Sequence, residues 1–495
     1  MGLTIERDRF EDDEYDRFRE RLGQSLRALA SLLERPGFGE GPASLGAELE
    51  MALVGEDGRP RPVNLEVLRE TLDPRMTVEL NRFNLEANLR PTLLAGRPFS
   101  HLRAEMEGSV DELTRAAKRH NARVAMIGIL PTLRPEDLAP TALTDTARYR
   151  ALSWALKRNR PEPFALHIDG EDSLEMQCED VTFEGAATSL QIHLRVRPGD
   201  FSQVFNAAQL ATAPALAVSA NSPTFLGRRL WDETRVALFK QAVDVRSSEL
   251  ERIRNKPRVC FGSGWNRSGA YEVFEETVSD FVPLLPVLSD EDPEACVARG
   301  GVPQLGEIRL HHGTVWSWNR PVYDPVDGGH LRIELRALPA GPTVADMVAN
   351  AAFLVGLTLG LAEEMSDWTT ASFVDTHSSF YRAAQLGLGA EILWPTGTSA
   401  RAGSRPVRDL LSELIPIARR GLEAAGVESD DIDPHLDLIE QRRRMGVNGA
   451  VWQRRVLALA ERDADREVAL AKMFERYVSL SNENRPIHEW PIDDA

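Results

Sequence analysis

Leu45-Gly46-Ala47-Glu48-Leu49-Glu50-Met51 is the stretch on which the reading of the fold turns. Side chains of a strand point alternately to opposite faces. Glu48 and Glu50 therefore share one face, and Ala47, Leu49 and Met51 take the other. The design returns in Leu190-Gln191-Ile192-His193-Leu194-Arg195 and in Leu331-Arg332-Ile333-Glu334-Leu335-Arg336. Each run pairs an apolar face with a polar face whose residue types suit metal and phosphate. A solvated strand face is the commoner fate of Glu-x-Glu alone. Three such runs in one chain suggest instead that the polar faces line one site.

Around these runs the chain reads as α+β, with a mainly antiparallel sheet packed with helices. Apolar residues at steps of three and four mark a helix over 11–34. Strands are expected over 45–54, 123–130, 189–196, 306–318 and 329–337. Val78 to Leu89 is expected to start as a strand and bend, because Glu79 and Glu86 have opposite strand parity and need a bulge or bend to face one site. Its asparagines, Asn81, Asn84 and Asn88, fit a hydrogen-bonded corner equally well. Residues 255–305, rich in Pro, Gly and Ser, read as an irregular excursion. Helices are expected over 343–365, 407–425, 434–445 and 451–477. This divides the chain into a helical segment at 1–40, a catalytic domain at 41–400 and a helical region at 401–495.

The 495 residues carry a formal net charge of -18 and are 42% hydrophobic, enough for a large core. The acidic balance argues against a nucleic-acid surface or an anionic membrane partner. Cys178, Cys260 and Cys296 are far apart and odd in number, so neither a disulfide framework nor a zinc site is expected, and a reducing cytoplasm fits. Met1 to Phe18 lacks an apolar signal core, and Gly2 lacks the Ser or Thr of a myristoylation signal. The longest apolar run, Ala351 to Ala362, is too short to span a bilayer and reads as a buried helix.

The chain has no Gly-x-x-x-x-Gly-Lys-Ser/Thr loop, no His-Glu-x-x-His and no Gly-x-Ser-x-Gly elbow. Any ATP chemistry must then run through metals held by carboxylates. Hard divalent cations prefer carboxylate oxygens, and two carboxylates on one face repel each other unless a cation joins them. Glu334 between Arg332 and Arg336 reads either as a salt-bridged sheet face or as a metal ligand beside a guanidinium fork for phosphate.

Taken together, Leu45 to Met51, Thr77 to Pro91, Thr188 to Val196, Ser219 to Gly227 and Gly329 to Leu338 resemble the glutamate–cysteine ligase family, especially its bacterial carboxylate–amine ligase branch. The ordered set carries the likeness, with Glu79 and Glu86 seven positions apart and Ile333-Glu334-Leu335-Arg336 closing the sheet. The first motif departs from it, reading Gly-Ala-Glu-Leu-Glu where relatives commonly have a denser Glu-Glu-Glu. The resemblance implies a glutamine-synthetase-like fold whose curved antiparallel sheet binds Mg2+ and ATP. It implies Glu48, Glu50, Glu79, Glu86, His193 and Glu334 as metal ligands, and Arg336 with Glu50 as the residues nearest the chemistry. Arg336, Arg235, Gln191 and Arg332 become nucleotide or phosphate contacts. The implied activity is ATP- and magnesium-dependent amide formation through an acyl phosphate, on small-molecule acid and amine substrates, with a homo-oligomer possible. A phosphotransferase on the same fold, or a non-catalytic binder of nucleotide or amino acid, are the alternatives.

Overall fold

A computed structural model describes residues 3, 5–246, 255–364, 371–396 and 399–492; Met1, Gly2, Thr4 and Met365 of the stretches read above lie outside them. Its centre is a seven-stranded antiparallel sheet: β1 (Ser44–Val54), β2 (Met76–Val78), β3 (Asn84–Leu93), β4 (Arg123–Ala125), β5 (Leu190–Val196), β6 (Asn319–Asp324) and β7 (His330–Leu335). The spatial order is β6-β7-β5-β1-β3-β2, with β4 also paired to β1.

The alternation in the sequence sets this sheet. Leu45, Ala47, Leu49 and Met51 of β1, Ile192 and Leu194 of β5, and Leu331, Ile333 and Leu335 of β7 are all buried on one face. On that side the strands meet helices Pro98–Lys118, Phe201–Ser219 and Val344–Glu364, which form the second layer. Burying a Leu or Ile side chain contributes about 1.5–3 kcal/mol, so this face pins the register, and a one-residue slip would turn every carboxylate inward. Val344–Glu364 is apolar enough in composition to cross a membrane, yet it is almost wholly buried in the protein core. Helix Val407–Ala424 packs on it at close range, since a Cβ on Gly421 would lie 2.3 Å from the Gly356 carbonyl oxygen. Arg442, on helix Ser429–Met445, reaches into the same layer and pairs with Asp346 at 2.6 Å.

Four expectations change. Residues 306–318 form a helix, Gly306–His312, and only Trp316–Ser317 is extended, paired in parallel with Val259–Cys260. Isoleucine and leucine at two-residue spacing imitate a strand there, but Glu307, His311 and His312 are buried as well, so the segment has no solvent face to alternate with. The excursion 255–305 is not irregular throughout: it holds helices Ala270–Asp280 and Pro293–Ala298. The long helix expected over 451–477 is two, Gly449–Ala460 and Arg466–Asn482, the second capped by Asp465 accepting from the Val468 amide. Of 123–130 only Arg123–Ala125 joins the sheet.

Candidate active site

The polar face of the sheet gathers side chains from five strands. Glu50 of β1 lies opposite Glu86 of β3, and Glu48 opposite Asn88. On its other side β1 faces β5, with Glu48 opposite Gln191 and Gly46 opposite His193. His193 lies opposite Glu334 of β7, which lies opposite Arg320 of β6. Glu79 arrives by a corner. β2 ends at Val78, residues 79–83 turn, and β3 begins at Asn84, which removes the parity conflict with Glu86. Buried asparagines lock that corner: Asn64 donates to the Asn81 and Asn84 carbonyls at 3.2 and 3.1 Å, and Asn81 donates to the Thr182 carbonyl at 2.8 Å. The corner is thus hydrogen-bonded and also delivers a carboxylate.

Two groups of possible ligands result: Glu48, His193 and Glu334, and Glu50, Glu79 and Glu86, with the ligand atoms of each group within 4.8 Å of one another. His193 Nε2 stands 3.1 Å from Glu48 Oε1 and 3.7 Å from Glu334 Oε1. A hydrogen-bonded chain ties the groups together. Glu50 accepts from the Ser189 amide at 2.7 Å and from Gln191 Nε2 at 3.0 Å, and the Gln191 carbonyl oxygen accepts from Arg336. Arg336 also donates to Glu334 at 3.2 Å, and Arg320 donates to Glu334 at 2.5 and 3.1 Å.

A cavity of about 190 Å³ opens over this face, and Glu48, Glu50, Glu79, Glu86, Glu184, Gln191, Arg320 and Arg336 line it. Leu285, Gly313, Thr314 and Trp316 close it from above. The excursion 255–305 thus contributes Leu285 to this wall, and residues 313–316, just beyond it, supply the rest.

The charge balance differs between the groups. Burial would raise Glu334, yet Arg320, Arg336 and His193 outweigh it and hold the carboxyl well below the usual range. Burial opposes ionisation of Glu48 too, and His193 overcomes it, lowering Glu48. The second group has no comparable cation. Burial, then the charges of Glu48 and Glu50, push Glu86 up to about 8, and burial with Glu86 and Glu50 raises Glu79 well above its ordinary value. Burial raises Glu50 as well.

This donor set fits hard divalent cations: carboxylate oxygens and one imidazole, crowded together and mutually repulsive. A stability prediction follows. Carboxyls raised in the folded state stabilise the fold while protonated, and that contribution is lost as pH climbs from the unfolded value near 4.5 towards about 8. A cation binding the ionised form restores it. Thermal melts should show Mg2+ raising Tm more at pH 8 than at pH 6, and a hundredfold excess over the dissociation constant adds about 2.7 kcal/mol. Equal shifts at both pH values would contradict the assignment.

Arg235 is corrected. Its side chain is 3% exposed and pairs with Glu233 at 2.8 Å while donating to the Ala337 carbonyl at 2.6 Å. The guanidinium is consumed within the protein and does not line the cavity. Arg332 lies two residues before Glu334, opposite Arg195, and pairs with Asp324 at 3.1 Å; it does not line the cavity. Sequence reasoning missed Arg320, Glu184, Arg148 and Tyr149, all in the cavity wall. For Arg320 a signal existed, since Arg320 and Asp324 alternate with Pro321 and Tyr323. Glu184 lies in a short 3₁₀ turn, Val181–Ala186, which has no period to read.

The fold is similar to that of a solved glutamate–cysteine ligase from Francisella tularensis in complex with AMP, at a TM-score of 0.54 and 10% identity over 92% of this chain and 91% of that one. A bifunctional glutathione synthetase from Pasteurella multocida aligns at a TM-score of 0.48 and 12% identity, covering 95% of this chain and 55% of that one. No curated protein matches the sequence. Residues 44–471 match the model of glutamate–cysteine ligase family 2, a span that contains every strand of the sheet and both ligand groups, and the chain belongs to that family.

Proposed function

We propose that the protein is an ATP- and Mg2+-dependent carboxylate–amine ligase that forms an amide through an acyl phosphate. The observation that carries this reading is the pair of ligand groups side by side on one sheet face, with Arg320 and Arg336 lining the same cavity as Glu48, Glu50, Glu79 and Glu86. Bound Mg2+ would neutralise phosphate oxygens and orient the transferred group.

The residues divide the work. Arg195 and Arg332 lie directly opposite each other, and the buried Nε atom of each lacks a hydrogen-bond partner. Asp324, 3.1 Å from Arg332, supplies the negative charge that lets the two stand opposite each other. Arg336, its planar guanidinium oriented by Gln191 and Glu334, is placed to steady the phosphoryl group as it moves. The substrate carboxylate oxygen attacks the γ-phosphorus and ADP departs. The amine nitrogen then attacks the carbonyl carbon, the bond to the phosphate oxygen breaks, and phosphate and a proton leave. No serine or cysteine nucleophile is needed, in keeping with the absence of such motifs. The roof over the sheet limits hydrolysis of the acyl phosphate.

ADP release with Mg2+, ATP and a matrix of acids and amines tests the proposal, with glutamate and cysteine as the first pair. Turnover should need both an acid and an amine. Sustained ADP release with acid alone would mark a phosphotransferase instead, and nucleotide binding without ADP under every pairing would mark a binder.

A further inference from the structure

A second cavity, of about 250 Å³, lies on the other side of the segment that closes the first. Alternation along the chain keeps the two apart. Thr314 and Trp316 line the catalytic cavity, and Val315 and Ser317 line the second. At the sheet edge Arg320 faces the catalytic cavity, whereas its neighbour Asn319 lines the second and donates to Gln209 Oε1, on the helix layer, at 2.7 Å. No residue lines both.

Three polar side chains meet in the wall of this second cavity. His377 and Tyr381, four residues apart on helix Phe373–Leu386, share a face, and their ring centres are 4.9 Å apart. Lys240, in the last turn of helix Thr234–Ala242, sets its ammonium 4.5 Å from the Tyr381 ring centre. The Lys240 ammonium, the His377 ring nitrogens and the Tyr381 hydroxyl make no hydrogen bond or ion pair among the described residues. The carboxylates of the wall are engaged elsewhere. Glu276 pairs with Lys256 and accepts from Ser263 at 2.7 Å, and Glu272 accepts from the Arg267 and Ser268 amides at 2.8 Å. Asp244, whose charge Lys240 feels, is held by Arg246 at 2.8 Å. Burial and then the charge of Lys240 keep His377 below its ordinary value, so the neutral ring offers one N–H. A half-buried ammonium beside two further donors, with no counter-charge, is costly.

The rest of the wall is apolar and flat, with the rings of Phe261, Trp265 and Phe281. A cavity of about 150 Å³ already holds benzene, so this one has room for a ring that bears a carboxylate. We infer that the second cavity binds a small organic anion, a carboxylate carried on a flat apolar ring. Lys240 takes the charge, Tyr381 and His377 donate to the oxygens, and the aromatic wall holds the ring. The site is independent of the ligase reading, because none of its residues belongs to the catalytic cavity.

Calorimetric titration of the full chain with benzoate tests this. Benzoate should bind wild type at one site, and benzamide, the same ring without the charge, should bind about tenfold or more weakly. Lys240→Met should weaken benzoate by about 10- to 100-fold, the range for a lost charge-assisted hydrogen bond, and Tyr381→Phe by about 3- to 10-fold. Both variants should keep the wild-type Tm; should Lys240→Met lower it, Tyr381→Phe, which removes a single oxygen, decides. Glu50→Gln, which alters only the catalytic cavity, should bind benzoate as wild type does. No benzoate binding to wild type, benzamide as tight as benzoate, wild-type affinity in Lys240→Met and Tyr381→Phe, or loss of binding in Glu50→Gln would each overturn the inference, and none of these results bears on the ligase reading.

Discussion

Glu50→Gln is expected to lower ADP release by about 10³-fold, the several kcal/mol that a bound cation contributes to charge stabilisation in phosphoryl transfer. The same change should leave the fold intact or make it more stable without metal. Glu50 is raised by burial, and its charge in turn raises Glu79 and Glu86, so removing the charge relieves repulsion within that group. The amide keeps one oxygen to accept from Ser189 or Gln191, which now donate at 2.7 to 3.0 Å. Opposite movements of activity and metal-free Tm are the signature of a residue kept for binding a cation rather than for folding. A loss of both together, read from ADP release and thermal melts, would place Glu50 among structural residues instead.

Arg336→Lys should lower kcat by about 10²-fold while Mg2+ affinity stays close to wild type. Lysine retains the positive charge beside Glu334, and Arg320 still holds that carboxylate. What lysine cannot do is donate from one planar group to Gln191 and Glu334 while facing the cavity. The two variants therefore separate: Glu50→Gln loses metal and rate, whereas Arg336→Lys loses rate alone. Titration of Mg2+ by its effect on Tm, set beside kcat for each variant, distinguishes them. A variant at Arg336 with unchanged kcat would remove that residue from the phosphoryl path.

The parts of the site that were legible in the sequence lie on strands whose two faces differ in chemistry. Glu48 and Glu50, Gln191 and His193, and Glu334 and Arg336 could be read because an apolar partner face fixes which way each points. The corner at residues 79–83 was readable because buried asparagines among apolar residues demand partners. What escaped was placed by chain path alone. Leu285 of the excursion and Trp316 beyond it reach the cavity by a chain path that no local pattern announces. Gly306–His312 imitates a strand by spacing, and Glu184 sits on a turn too short to carry a period. Arg235 failed for the converse reason: its neighbour Glu233 is also buried and claims the guanidinium, a pairing set by tertiary packing.

Counting Mn2+ bound to the protein by electron paramagnetic resonance, with a non-hydrolysable ATP analogue present, bears most directly on the claim that two carboxylate groups on one sheet face grip divalent cations for a triphosphate. The expected result is at least two ions on the wild type, with one lost in Glu50→Gln and a different one lost in Glu48→Gln. Wild type that binds no Mn2+, or variants that both keep the full number, would contradict it.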